Sequence, residues 1–203
     1  GLGPYASLLS RGVKDMIAIP VFTSRVFRHS ALYLRAGAAI ASPADLAGRR
    51  IGVPEWGITA AIYTRALLQH FYGVDLHSVR WVQAGVNEPG RLDKLNLDLP
   101  GFSITPMPTR SLSELLLAGE LDAIISARPP RPFIERDPRI KRAFDDVFGE
   151  EMNYWRATGV FPIMHLIVLR RDVYEQHRWA AMNLYQAFTE AKRRAMGRIR
   201  DAT

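Results

Sequence analysis

The sequence predicts an α/β fold built around a parallel sheet, and three observations carry that prediction. Residues 49–53 (RRIGV) form a short apolar strand that passes through the turn Pro54-Glu55-Trp56-Gly57 into residues 58–71, where Ile58, Ala61, Ile62, Ala66 and Leu67 recur at helical spacing. Residues 79–84 (VRWVQA), 111–118 (SLSELLLA) and 121–126 (LDAIIS) then repeat strand, helix and strand, the rhythm of parallel strands joined by crossover helices. With 203 residues and 48% apolar content, the chain is long enough to bury a core as one compact domain or two small lobes.

Taken in order, residues 4–10 read as a short helix stopped at Gly12, and residues 16–21 (MIAIPV) as a buried strand interrupted by Pro20. Residues 30–35 (SALYLR) alternate as a second extended segment. Ser42-Pro43 opens a capped helical turn closed by Gly48, with serine at the N-cap and proline at the first helical position. After the central strand, turn and helix, residues 85–91 (GVNEPGR) form a loop. Residues 94–108 are polar and proline-punctuated, a loop with a short strand near 102–105. Ser111 with Glu114 three residues on has the spacing of a capping box. Residues 134–148 are charged and helical in part, and residues 159–169 (GVFPIMHLIVL) form one long apolar strand carrying His165. Two helices, 173–176 and 179–196, close the chain, the second with Met182, Leu184, Tyr185 and Phe188 on a packing face.

Composition narrows the function classes. Lys and Arg number 27 against 20 Asp and Glu, a net charge of +7. The basic residues are scattered rather than gathered on one stripe with interleaved aromatics, which favours a small anionic ligand over nucleic acid. There is no cysteine, so disulfides and zinc–thiolate sites are excluded, and His29, His70, His77, His165 and His177 show no metal-binding spacing. No stretch resembles a membrane span or a signal peptide.

Residues 22–30 (FTSRVFRHS) hold the densest group of chemistry-bearing side chains: Thr23, Ser24, Arg25, Arg28, His29 and Ser30. Arginine grips carboxylates in bidentate fashion and histidine exchanges a proton near neutral pH, so the cluster fits an anion that undergoes proton transfer. It also fits a solvated strand edge. The turn Trp56-Gly57 leading into a helix with Thr59 in its first turn offers backbone N–H groups to an anion, although most such turns bind nothing. Arg128 follows directly on a strand, where open α/β sheets bind ligands; a solvated arginine on a proline-stiffened linker is the alternative. His165, a lone histidine in an apolar strand, is more often the mark of a hydrogen-bonded core residue than of a catalyst.

The order of these pieces, with residues 42–53 (SPADLAGRRIGV), 111–125 (SLSELLLAGELDAII) and 165–191 (HLIVLRRDVYEQHRWAAMNLYQAFTEA), resembles the type II periplasmic binding protein fold. Closer still, residues 19–33 (IPVFTSRVFRHSALY), 48–61 (GRRIGVPEWGITAA), 81–91 (WVQAGVNEPGR), 122–130 (DAIISARPP) and 158–172 (TGVFPIMHLIVLRRD) resemble the 4,5-dihydroxyphthalate decarboxylase family. Members are longer, and the chain looks like an interior piece. The resemblance implies two α/β lobes with a ligand cleft between them: residues 1–43 with 151–203 as a first, incomplete lobe, and 44–150 as the second.

The resemblance further implies loss of CO2 from a dihydroxylated aromatic dicarboxylate to give protocatechuate. Each carboxylate is para to a ring hydroxyl, so no cofactor is required as electron sink. On this expectation Arg25 and Arg28 hold the carboxylates with Ser30 beside them. His29 or His165 protonates the ring carbon, and the other histidine or Glu88 handles the hydroxyl. Trp56, Gly57, Thr59, Arg91 and Arg128 complete the anion site, and no metal ligand set is recognised. The expected partner is a small anionic aromatic substrate, with neither nucleic acid nor membrane and with a homo-oligomer compatible. The expected location is the cytoplasm, or the periplasm if a leader precedes Gly1. A solute-binding protein for a small organic or aromatic acid, using the same cations without a proton donor, is the alternative.

Overall fold

The computed structural model describes residues 1–95, 97 and 99–201. Its contacts divide the chain into two compact units, Gly1–Arg25 with Ile163–Thr203, and Val26–Pro162. The first unit opens with α1 (Leu2–Ser10), β1 (Met16–Ala18) and β2 (Ser24–Arg25). The second unit then runs β3 (Leu32–Arg35), β4 (Arg50–Val53), α2 (Thr59–His70), β5 (Arg80–Gly85), β6 (Ile104–Ser111), α3 (Leu112–Leu117), β7 (Ala123–Ile125), α4 (Arg131–Ile134), β8 (Ile140–Arg142) and α5 (Val147–Thr158). The chain returns to the first unit as β9 (Ile163–His165), β10 (Val168–Arg170), α6 (Arg171–Gln176) and α7 (Trp179–Asp201).

In the second unit six strands form one sheet in the order β6-β5-β4-β7-β3-β8. β6, β5, β4 and β7 are parallel, as the alternation predicts, while β3 runs antiparallel to both of its neighbours. Strand alternation sends side chains to opposite faces. Ile51, Val53, Ala123, Ile125, Leu32 and Leu34 join one apolar cluster with Ala61 and Leu68 of α2. Tyr33 and Ile124 join the other, with Leu112, Leu115 and Leu116 of α3. Gly52 is the point of closest approach on that second face. A Cβ there would lie 2.7 Å from a Leu112 methyl and 2.8 Å from one of Leu121. Ser111 caps α3 through its hydroxyl, and Glu114 returns a carboxylate to the Ser111 N–H at 2.8 Å.

Several elements differ from the sequence expectation. β6 is an eight-residue strand where a loop with a short strand is expected, and it tolerates Pro106 and Pro108 because it is the sheet's edge. β8 lies in a stretch read as charged and partly helical; it is three residues long, too short to show a period. β3 is hydrogen-bonded between β7 and β8, and α5 packs against the turn that precedes β3. Residues 26–43 and 151–162 therefore group with the sheet, whereas the sequence reading divides the lobes at 43/44 and 150/151.

In the first unit β1 pairs antiparallel with β10, and β2 with β9. The single long strand expected over 159–169 is thus two short ones, and His165 is exposed rather than buried in a core strand. No residue of α7 is buried, and the expected packing face leaves Met182 59% and Tyr185 40% exposed.

Candidate functional site

The strand register brings most of the predicted site residues to one edge of the second unit. Val53 pairs with Gln83, Gly52 with Ile124, and Leu32 with Ile125, and the Ser126 N–H donates to the Ala31 carbonyl at 2.8 Å. The exits of β4, β5 and β7 therefore lie beside the entry of β3. Arg28, His29 and Ser30, then Trp56, Gly57 and Thr59, then Glu88 and Arg91, and finally Arg128, all emerge at the carboxyl edge of the parallel strands, where open α/β sheets place ligands. Arg25 and His165 belong to the first unit. There the Ser24 hydroxyl lies 2.7 Å from His165 Nδ1, and the Arg25 guanidinium sits 5.6 Å from the Phe22 ring centre.

His29 is the most enclosed polar group of this edge, only 1% exposed. Its ring stands edge-on to Phe144 and to Tyr154, each 5.5 Å away between centres. Neither ring nitrogen has a hydrogen-bond partner among the described residues. A small cavity lined by Phe27, Arg28, His29, Tyr63, Leu67 and Tyr154 adjoins it. At about 10 Å³ it has room for roughly one water. Burial among aromatic rings pushes the His29 imidazole down to about 4, against the opposing pull of the Glu150 carboxylate. Burial likewise lowers the Arg28 guanidinium.

A histidine that stays neutral in the fold makes stability depend on pH. The unfolded chain takes up the proton near pH 6.5 and the folded chain only near 4, so the contribution is whole above 6.5 and is lost as pH falls from 6.5 to 4. The expected loss is about 2 kcal/mol after allowance for solvent screening. Urea melts of the parent and of His29→Asn at pH 7, 5.5 and 4.5 check it. On acidification the parent should lose stability relative to His29→Asn, and a difference that does not change with pH would remove His29 as the cause.

The turn into α2 is filled by the protein itself. Trp56 is buried edge-on to Trp81 and Phe102, and Arg65 of α2 stacks 3.7 Å over its ring while donating to its carbonyl at 2.8 Å. The Trp56 N–H, expected to face an anion, donates to the Asp93 carboxylate at 2.7 Å. Leu95 packs so closely on Gly57 that a Cβ there would lie 2.2 Å from its methyl. Thr59 is buried. Burial lowers Arg65 to about 9, with Asp93 opposing. The α2 entrance is thus a structural knot in which Asp93 takes the position of an anion.

The loop after β5 is tied down as well. Arg91 donates through Nε and Nη2 to one oxygen of the buried Glu55, at 2.8 and 2.6 Å. Gln83 holds the Pro54 and Arg91 carbonyls at 2.7 and 2.9 Å. Glu88 pairs with Arg131, while Asn87 accepts from Ser113 and from the Arg131 N–H. Arg128 is exposed beyond β7, where the Ser126 hydroxyl donates to its carbonyl at 2.5 Å.

Sequence reasoning missed Glu55, Arg65, Asp93, Glu150 and Tyr154. Only Arg65 left a signal: it lies four residues after Ala61 and three before Leu68, a charged residue on the apolar stripe of a helix. Among the described residues no group of three potential ligands could hold a metal ion, and no helix is long and apolar enough to cross a membrane.

A mixed α/β sheet of this order, entered and left by two passages of the chain to a second unit, is the architecture of the periplasmic binding protein-like folds. The structure of the periplasmic aliphatic sulphonate binding protein of Escherichia coli matches with a TM-score of 0.53 at 14% identity, covering 99% of this chain and 56% of that one. A family model described as NMT1/THI5 like matches residues 23–91. By sequence the chain is similar to 4,5-dihydroxyphthalate decarboxylases and spans about three fifths of their length. It is 40% identical over 204 aligned residues to the enzyme of Comamonas testosteroni, covering 100% of this chain and 62% of that protein. It is 40% identical over 158 residues to that of Pseudomonas putida, covering 77% of this chain and 61% of the relative.

Proposed function

We propose that the full-length protein removes one carboxylate of 4,5-dihydroxyphthalate as CO2, releasing protocatechuate without a net redox change. The observation that carries this reading is the 40% identity to a decarboxylase of that name through the entire chain. The chemistry is one the edge of the sheet could serve. Loss of the proton from a ring hydroxyl drives electron density to the para carbon. That carbon takes a proton, the bond to the carboxylate breaks, and its electrons restore the aromatic ring as CO2 departs.

In this reading Arg28 and Arg128 of the sheet unit hold carboxylate charge. Ser30 lies beside Arg28 at the same edge, while the Trp56-Gly57-Thr59 turn, closed by Asp93 and Leu95, supports it from behind. Arg91 acts through the buried Glu55, keeping the loop after β5 in register. His29 donates the ring-carbon proton once the aromatic box, which leaves room beside it for about one water, has opened to the substrate. It is neutral while its surroundings are apolar, and a bound dicarboxylate beside it favours the imidazolium, so that substrate arrival charges the donor. Glu88 is the remaining group of this edge that could take the hydroxyl proton. The hydroxyl is the electron sink, so the scheme asks nothing of a cofactor. The substrate is small, aromatic and anionic, and the corresponding location is the cytoplasm.

Incubation of the full-length protein with 4,5-dihydroxyphthalate, followed by chromatography for protocatechuate and measurement of CO2, tests this, with added divalent metal and chelator in parallel. Equimolar protocatechuate and CO2 are expected. Saturable binding without product would replace the enzyme by a solute-binding protein.

A further inference from the structure

We propose that Glu150, fixed in place by the Tyr72 hydroxyl, is the positioning residue that sets the protonation of His29. The inference rests on the reading of His29 as the proton donor and adds to it two residues some 40 and 120 positions away along the chain.

The geometry starts at α5. Asp146 caps the helix by accepting from the Gly149 N–H at 2.9 Å, which fixes its first turn. Glu150 lies in that turn and Tyr154 one turn further on, so the two share a helix face. Tyr154 sets its ring against His29, which directs this face of α5 toward the imidazole. The Glu150 carboxylate does not swing free: Tyr72, just past the end of α2, donates to its Oε2 at 2.9 Å, and the Tyr72 ring lies 5.6 Å from Phe144, the other wall of the His29 box. Burial and the neighbouring carboxylate raise Tyr72 above the usual phenol range, so the hydroxyl keeps its proton and remains a donor.

The titratable and charged groups around His29 are Arg28 beside it in the chain, Tyr63 of α2, Tyr72, and Glu150 and Tyr154 of α5. Of these, Glu150 supplies the negative charge felt by His29. A buried imidazole with no hydrogen-bond partner on either nitrogen depends on such a charge to accept a proton at all, and a carboxylate anchored by a tyrosine keeps that charge at a fixed distance. A purely structural role for the Tyr72–Glu150 bond, tying the end of α2 to the start of α5, would leave the titration of His29 unmoved.

The test is an NMR titration of the histidine ring protons of the full-length protein, with His29 assigned by comparison with His29→Asn. Glu150→Gln should lower the His29 midpoint by about one pH unit. Tyr72→Phe, which removes only a hydroxyl, should lower it by less. In decarboxylation the alkaline limb of kcat/KM should move to lower pH by the same amounts, with a greater effect on kcat than on KM. An unchanged midpoint in a folded Glu150→Gln variant overturns the inference. Should that variant fail to fold, an unchanged midpoint in Tyr72→Phe does the same. The titration needs no substrate. A shifted midpoint in a protein that releases no protocatechuate would sustain the role of Glu150 and overturn the proposed reaction.

Discussion

If the proposed decarboxylation holds, replacing His29 by asparagine in the full-length protein should lower kcat by about 10²–10⁴-fold, the usual contribution of a positioned proton donor, with substrate affinity changed less than about threefold. The argument is one of burial and chemistry together. His29 is held between the rings of Phe144 and Tyr154 with both nitrogens unpartnered, an arrangement that costs free energy in the absence of a ligand and adds nothing to the fold. Asparagine is smaller and polar but carries no titratable proton, so it preserves the pocket and removes only the transfer. In the proposed site the arginines carry binding, and the substitution does not touch them. Single-turnover measurements with 4,5-dihydroxyphthalate, and calorimetric titration with an unreactive dicarboxylate, separate the two quantities. Unchanged turnover would assign the proton to another group, and a parallel loss of affinity would make His29 a binding residue.

Gly85→Ala destabilises the protein by about 3 kcal/mol and also impairs the site, because one atom meets backbone rather than a flexible side chain. A Cβ at Gly85 would lie 2.0 Å from the Glu88 carbonyl oxygen and 3.3 Å from Arg91 Cβ. Gly85 ends β5 and is itself buried, so relief requires the whole loop to move outward. That movement would pull Arg91 from Glu55 and leave a carboxylate buried without its cation. Urea denaturation should show a lower midpoint with an unchanged slope. Activity should fall further than the folded fraction accounts for. A variant with the parent midpoint would show that the 85–91 loop is looser than its hydrogen bonds indicate.

Much of the sheet unit was legible because its signals are local. The strand, turn and helix over residues 49–71 follow from apolar periodicity and one glycine-containing turn, and the Ser111–Glu114 capping box from a three-residue spacing. The direction of β3, the strand at β8 and the extent of β6 were not legible. Each depends on neighbours distant in sequence: Leu32 pairs with Ile125, Tyr33 with Arg142, and Trp81 with Ile104. The prolines of β6 argue for a loop until its place at the sheet edge is known.

The candidate site divides in the same way. By residue type and position alone the sequence determined which segments carry the cations and proton-transfer groups, 25–30, 85–91 and Arg128, and which turn, 56–59, leads into a helix, each following or preceding a strand. Only the tertiary structure decided their states. It buried His29 between aromatic rings while leaving His165 exposed beside Ser24, and gave Arg91 to Glu55 and Glu88 to Arg131. It placed Asp93 where an anion was expected and tied Glu150 to Tyr72. The reason is physical: a side chain's chemical type is fixed by the sequence, but its protonation and its partner depend on the dielectric and the charges around it, and those come from residues that only folding brings within a few ångströms.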